Sequence, residues 1–507
     1  MTKYFLAGCA FWGAGALALF FLRPGGELSR KTAADAGLPE RLTALLLAAA
    51  LILLCTLPMS LAPSWNGTRL GHRNQYEVLA ESLLDGRIDL DYGDMDPKLL
   101  EMENPYDPDQ RTALGVHCHW DHAFYNGHYY MYFGIVPVLL LFLPYRALTG
   151  VSLTTYHGTQ VFAALFILGV FALFYRLSRR FFPRMPWSVY LSLSAAACAM
   201  SVWYLADAPS LYCTAISSAI CMEIWSLFFF TCAVWGGAAA GRTTLYGVLG
   251  SLFGALAFGC RPTIALANLL AVPMFLCYIR GKRPGWKLAG QIFAVLMPYV
   301  LVGAGLMAYN YVRFDSPFEF GQSYQLTVAD QSGYTNVLEN LLSADFLGGL
   351  TENLIGRQAL LETFPYISFQ SVLLNFPICV IAGLCLLRRR SLALLRREGL
   401  AGFAGTLVLL PLLITAAQVL MSPFLLERYR SDIYWLMGIF VFLSFGLTLE
   451  TLEEKRRRGA GFAVSCLALA TIFWSFLLWT VPNDNNFTAE YPWYLAQFQS
   501  VLTFGFL

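Results

Sequence analysis

Charge is what this chain has least of. Only 13% of its residues are Asp, Glu, Lys or Arg, against ~25% in soluble domains, so most of its surface is not built to face water. The charges nearly cancel, to a net of +2, and no basic stripe stands outside short loops, which excludes nucleic acid as a partner. Histidine is rarer still, with six in 507 residues. Cysteine pairing is missing too. The 12 Cys lie almost entirely in apolar runs (Cys9, Cys55, Cys198, Cys221, Cys232, Cys379, Cys466), and only Cys118 is in a large polar loop. They read as small hydrophobes rather than a disulfide framework. The apolar start, residues 4–22, is followed by Arg23-Pro-Gly-Gly rather than a small-residue cleavage site, and is expected to remain as a helix.

What the chain has in plenty is apolar runs. With 57% hydrophobic residues, it offers twelve stretches of membrane-crossing length. They lie near 4–22, 42–62, 159–176, 187–205, 212–237, 244–259, 263–279, 288–309, 371–388, 403–421, 433–450 and 460–481. The segment 135–150 is also apolar, but it is short, holds Pro137 and Pro144, and carries Arg146. If it stays on one side, the short loops at 23–41, 176–184, 242, 280–287, 388–397 and 455–458 fall together and hold most of the 34 Lys and Arg. If it crossed, the later basic loops would invert against the first. The positive-inside rule therefore predicts a re-entrant or interfacial helix here. The expectation is an all-α polytopic membrane protein with about twelve transmembrane helices and large loops outside.

This layout divides the chain. Two N-terminal helices (1–62) lead to a first outer loop with amphipathic and re-entrant helices (63–158). Transmembrane helices (159–310), a second outer loop (311–370), further helices (371–481) and an outer tail (482–507) follow. Within the membrane, Glu223 is either one half of a cation or proton site or a protonated, helix-paired carboxyl. Arg261-Pro262 falls at the outer end of a span, where the Arg either snorkels or contacts a phosphate just below the headgroups.

Polar chemistry gathers in the first loop, which holds five of the six histidines. Val78, Leu79, Leu83 and Leu84 recur at helical spacing opposite Glu77, Glu81 and Asp85, which predicts a short amphipathic helix lying on the membrane and ended at Gly86. The acids Asp94, Asp96 and Glu101 read equally well as solvated. In ENPYDPDQR (103–111), two prolines fix an extended turn around Asp107. Asp121 stands apart, flanked by Trp120 and His122 and followed by aromatics, a setting that suits a general base. The aromatics themselves suit sugar faces or an interfacial belt. His117-x-His119-x-Asp121-His122 spells the metal string of metallo-β-lactamase-type hydrolases, but no βαβ pattern surrounds it. A divalent metal on His117, His119 and Asp121 is a minor alternative to no cofactor at all. In the second loop, Arg313-Phe314-Asp315-Ser316-Pro317 reads as a turn directly after a span, in a loop that caps the first. Asn66-Gly-Thr and Asn486-Phe-Thr are glycosylation sequons by spelling only.

The layout resembles the polytopic GT-C glycosyltransferases, above all the bacterial aminoarabinose-transferase and protein-mannosyltransferase-like branch. The residues that carry this are Tyr76, Leu79-Ala80, Leu83-Leu84 and Gly86, then Tyr125-Asn126-Gly127, Tyr129, Tyr130, Tyr132-Phe133-Gly134 and Pro137. YNYVRFDSPFEFGQSYQLT (309–327) and ERYRSDIYWL (427–436) also look like recurring elements of such proteins. The resemblance spans about residues 42–450, in layout more than in strict motif. It implies sugar transfer from a polyprenyl-phosphate donor to a lipid, glycan or protein acceptor, at the outer face of a bacterial plasma membrane, by inverting displacement. The family's first-loop acid is replaced here by His72-Arg73. The base would then be Glu77 or Asp121, with His122 beside it.

The leaving phosphate calls for Arg, which can hold two oxygens at once. Candidates are Arg73, Arg111, Arg261, Arg313 and Arg428, with Tyr76, Asp107 and Tyr129 as further substrate contacts. Arg428 could instead pair with Glu427 or Asp432. Two other readings remain: a transporter or flippase of a lipid-linked intermediate, and a non-catalytic envelope assembly protein.

Overall fold

The computed structural model describes residues 2–61, 74–207, 209–237, 240–280, 282–332, 337–422, 425–482 and 487–506. Ten helical stretches among them are long and apolar enough to cross a membrane, rather than the twelve expected. The two that fall short have local reasons. Residues 371–388 are split by Phe376-Pro377 into Val372–Asn375 and Ile378–Leu386, because proline has no amide hydrogen to continue the ladder. Residues 244–259 do form a helix, Ala240–Phe258, but Arg242, Thr243 and Thr244 at its start, with Gly247, Gly250 and Ser251 further on, dilute its apolar content.

The main helices are α1 (Thr2–Leu22), α2 (Leu38–Leu61), α3 (Gln75–Leu84), α4 (Thr155–Phe181), α5 (Trp187–Asp207), α6 (Leu211–Trp235), α7 (Ala240–Phe258), α8 (Ala271–Ile279) and α9 (Trp286–Phe314). They continue with α10 (Ala344–Ile355), α11 (Ile378–Leu386), α12 (Ala401–Met421), α13 (Ser431–Glu450), α14 (Glu454–Trp479) and α15 (Pro492–Leu502). α13 and α6 are apolar all round and buried nearly throughout, the pattern of helices enclosed by others. α2, α9 and α12 lie outside them, exposing Leu45, Leu46, Phe293, Leu301 and Val408, a surface suited to lipid.

Contacts sort the loops into two ends. At one end, the Thr32–Pro186 bridge, Arg184 with Glu450, and Arg180 with Glu398 gather the basic connections. At the other end, the two large loops share one sheet. Strand β1 (His122–Tyr125) pairs with β2 (His128–Tyr130) on one side and with β3 (Gln325–Leu326) of the second loop on the other, all antiparallel. Asn126-Gly127 closes the hairpin with φ of 49° and 81°, the left-handed pair that a two-residue turn requires.

α3 forms where expected, with Asn74 accepting from the amides of Tyr76 and Glu77 as its N-cap and Gly86 left-handed just beyond it. Its apolar side is not laid on lipid, however. Val78 and Leu79 are buried, and Tyr76 stacks on Phe142 at 5.2 Å. Their cover is the segment expected not to cross, a π-helical turn Val138–Phe142 running into a helix Leu143–Thr149. The widened turn precedes Pro144, whose ring clashes with the carbonyl a turn earlier. Ser152 and Arg146 both reach Glu81, which holds this segment at the loop end, while Leu139, Leu140 and Leu148 stay exposed.

Candidate active site

Where the loop sheet meets the helix ends, a cavity of about 360 Å³ opens. Asp121 is in its wall. It precedes β1 with φ 57°, a region that few side chains other than Asp and Asn tolerate. Its backbone is held from both sides: the amide donates to Leu326 O (2.8 Å) and the carbonyl accepts from Gln75 Nε2 (2.7 Å). The residue is 6% exposed. Oδ2 accepts from the Tyr212 hydroxyl and Oδ1 from Gln325 Nε2 at 3.0 Å. One acid is thus fixed by the first loop, the second loop and α6 together.

Three arginines line the same cavity. Arg261 places Nε 2.8 Å from both oxygens of Asp432, which also accepts from Thr263 and Gln418 at 2.8 Å. Its charge is therefore answered within the protein. This takes Asp432 away from Arg428, which stacks on the Tyr212 ring at 3.9 Å and has no ion pair among the described residues. Arg313, at the end of α9, is 5% exposed. It donates to Met131 O and Asn310 Oδ1, both at 2.7 Å, and lies 3.9 Å from the Tyr309 ring. Its Nε is buried without a partner among the described residues. A guanidinium held out of water with no ion pair costs several kcal/mol, and none of the described carboxylates pairs with Arg313 in the cavity wall.

The floor depends on close backbone approach. A Cβ on Gly134 would come within 2.0 Å of Gly259 O, and the neighbouring Val136 amide donates to that same oxygen at 3.0 Å. Only glycine lets the first loop pack against the turn that carries Arg261.

The other candidates lie away from the cavity. Glu77 accepts from the Asn74 side chain at 2.5 Å, as part of the α3 cap. Asp107 caps the short helix Pro108–Ala113, accepting from the amides of Asp109 and Gln110. Arg111 is buried and donates to Pro105 O (2.7 Å) and Thr327 O (2.6 Å), so it joins the two loops. Tyr76 and Tyr129 are core residues, and burial pushes the Tyr129 hydroxyl up to about 12. Arg73 and His72 lie outside the described residues, as do Asn66 and Asn486.

The HxHxDH string does not converge. His119 Nε2 bonds Asp94 at 2.7 Å, the His117 amide bonds Asp96, and Asp121 turns to the cavity. No three His, Cys, Asp or Glu side chains among the described residues gather as a metal site.

His122 is buried between Trp120 O, to which Nδ1 donates (2.8 Å), and the Tyr92 hydroxyl, which donates to Nε2 (2.7 Å). Burial, opposed by the Trp120 carbonyl and reinforced slightly by His119, lowers its pKa from 6.5 to about 4. Between those values the unfolded chain binds a proton that the folded loop refuses. Stability is therefore expected to be level above pH 6.5 and to decline as pH falls toward 4. Thermal melts across this range should show the slope in the native protein and a flatter one in His122→Gln. Equal slopes would assign the decline to other groups.

Tyr212, Gln325, Gln418 and Tyr429 were not singled out in the sequence. Tyr212 and Gln418 sit in or beside apolar runs, Gln325 and Tyr429 stand in strings quoted only for their resemblance, and each gains meaning only through its partner. Comparison with known proteins gives no match, since no family model, curated protein or solved structure aligns significantly with this chain.

Proposed function

We propose that this chain is a membrane glycosyltransferase of GT-C-like layout. It moves a sugar from a polyprenyl-phosphate donor to an acceptor hydroxyl on a lipid, glycan or protein, at the outer membrane face where both loops lie. The observation that carries this reading is the sharing of one cavity by a fixed carboxylate and two arginines, Arg313 and Arg428, that have no ion-pair partner among the described residues. The cavity stands at the ends of apolar helices, where a lipid-linked phosphate can arrive from the bilayer.

In this reading, Asp121 takes the proton of the acceptor hydroxyl as its oxygen attacks the anomeric carbon from the face opposite the phosphate. The bond from that carbon to the phosphate oxygen breaks, and its electron pair stays with the phosphate. Charge on the leaving group grows as the bond lengthens. Arginines already fixed around it stabilise that growth without reorganising. Tyr212 and Gln325 aim the carboxylate, and the rings of Tyr212 and Tyr429 offer apolar faces to the sugar. Asp121 then stands in for the first-loop acid that such enzymes carry where this chain has His72-Arg73.

The test is to incubate the purified protein in lipid with envelope lipid as acceptor and a panel of polyprenyl-phosphate sugars, following free polyprenyl phosphate. Release from one donor is the expected result. Binding without release would favour a transporter of the lipid-linked intermediate. Neither binding nor release from any donor would overturn the proposal.

A further inference from the structure

A second cavity, of about 400 Å³, lies between α7, α8 and α9 and runs from Ala265 and Leu266 toward Tyr278 and Ile279. Phe230, Leu266, Phe275, Ile292, Val295 and Leu296 supply much of its wall. Two of its polar residues are tied into a network, while the Ser251 hydroxyl is buried without a partner among the described residues. Tyr299 donates to Asn268 Oδ1, and Asn268 Nδ2 donates to Glu223 Oε1 (2.6 Å), Gly254 O (3.0 Å) and Ala265 O (2.9 Å). Glu223 thus serves to hold α6 to the residue 266–270 turn. Val272 and Leu296 line the cavity and are also 53% exposed, so the groove opens sideways toward the bilayer. Apolar walls with nothing against them forfeit dispersion energy, and on that side the available filler is hydrocarbon.

The rim at the basic end carries charge of one sign. Tyr278, Ile279, Leu288 and Thr243 line that end, and Arg242, Arg280, Lys282, Arg283 and Lys287 adjoin them in the chain. All five are exposed and none has an ion pair among the described residues. Lys282 Nζ lies 3.5 Å from the centre of the Tyr278 ring, which ties the cation cluster directly to the groove wall. No Asp or Glu occurs anywhere between Glu223 and Asp315, so α7, α8 and α9 contain no acid of their own to answer these charges.

We infer that this groove is a binding site for an anionic glycerophospholipid of the leaflet opposite the Asp121 cavity. One acyl chain fills the groove and the phosphate lies against the five cations. The site is independent of whether the chain transfers sugars. Basic residues at a membrane end attract anionic lipid in general, but a groove beside them converts a diffuse attraction into retention of one molecule.

The full chain, purified and exposed to equal amounts of phosphatidylglycerol and phosphatidylcholine of matched chains, would be examined by native mass spectrometry. One phosphatidylglycerol per chain should be retained, preferred by roughly tenfold or more, as expected for several cations acting together. Leu296→Trp and Ile292→Trp fill the groove from its lipid-exposed side, where the fold tolerates bulk, and each should abolish retention. The triple change Arg280→Gln, Lys282→Gln and Lys287→Gln should keep a bound lipid but lose the preference. Equal retention of both lipids by the native protein, or undiminished retention in both groove-filled variants, would overturn the inference.

Discussion

Asp121→Asn is expected to lower turnover by about 10²–10⁴-fold, the range that a positioned general base supplies, while leaving donor binding close to native. The substitution keeps the shape of the side chain, an oxygen for the Tyr212 hydroxyl or Gln325 to donate to, and a residue that tolerates φ 57°. What it removes is the capacity to take a proton. Two readouts make the result specific: release of polyprenyl phosphate, and the rise in melting temperature that bound donor produces. Lost release with a preserved rise assigns Asp121 to chemistry. Loss of both assigns it to binding or to the integrity of the loop sheet. Undiminished release would remove it from the reaction altogether. Tyr212→Phe provides the companion measurement. It frees one carboxylate oxygen without touching the base, so a smaller loss and a shifted pH profile are expected, and complete inactivity is not.

The second large effect concerns the two arginines. Arg313→Gln should cost about 10²–10³-fold in turnover, the scale for removing one donor aimed at developing charge. It should also abolish the donor-induced rise in melting temperature. Arg313 is buried, and among the described residues its guanidinium donates to a carbonyl and an amide oxygen and packs on ring faces, with no carboxylate in ion-pair contact. An arriving phosphate relieves that desolvated cation, so binding and charge compensation are the same event. Arg428 lies nearer solvent and stacks on Tyr212, so Arg428→Gln should show a smaller loss that falls mainly on KM. Arg261→Gln is the contrast. It leaves Asp432 buried without its cation, and breaking such a pair costs ~3–5 kcal/mol. Its loss of activity should follow its loss of folded protein. If Arg313→Gln and Arg261→Gln behaved alike in melting temperature and turnover, the distinction between an answered and an unanswered cation would fail.

The architecture was readable wherever one physical quantity decides it. α4, α5, α6 and α13 follow from runs of apolar residues too long to stay in water. Residues 135–150 were expected not to cross because of their prolines, Arg146 and the placing of the basic loops, and the structure gives them a short apolar helix, Val138–Thr149. The hairpin was equally open to reading through Asn126-Gly127, the strongest two-residue turn signal, although the surrounding aromatics drew attention instead. The break at Pro377 was visible too, but an apolar count does not register it.

The site was legible only in outline. Asp121 stands out locally because a carboxylate among Trp, His and Tyr is unusual, but His122, Glu77, Tyr76 and Tyr129 share that neighbourhood and turn into the scaffold. Nothing in a linear pattern tells a side chain that faces a cavity from one that caps a helix or fills a core one residue away. The choice among the arginines was further out of reach. Arg428 has acids within four positions on either side, yet Asp432 is held by Arg261, 171 residues distant in sequence. Arg111 resembles any other loop arginine until Thr327 is placed beside it. Composition along the chain determined which segments leave water, because transfer free energy accumulates locally. Only the tertiary structure decided which charges find partners and which stay unpaired, because ion pairing depends on distances that the fold alone sets.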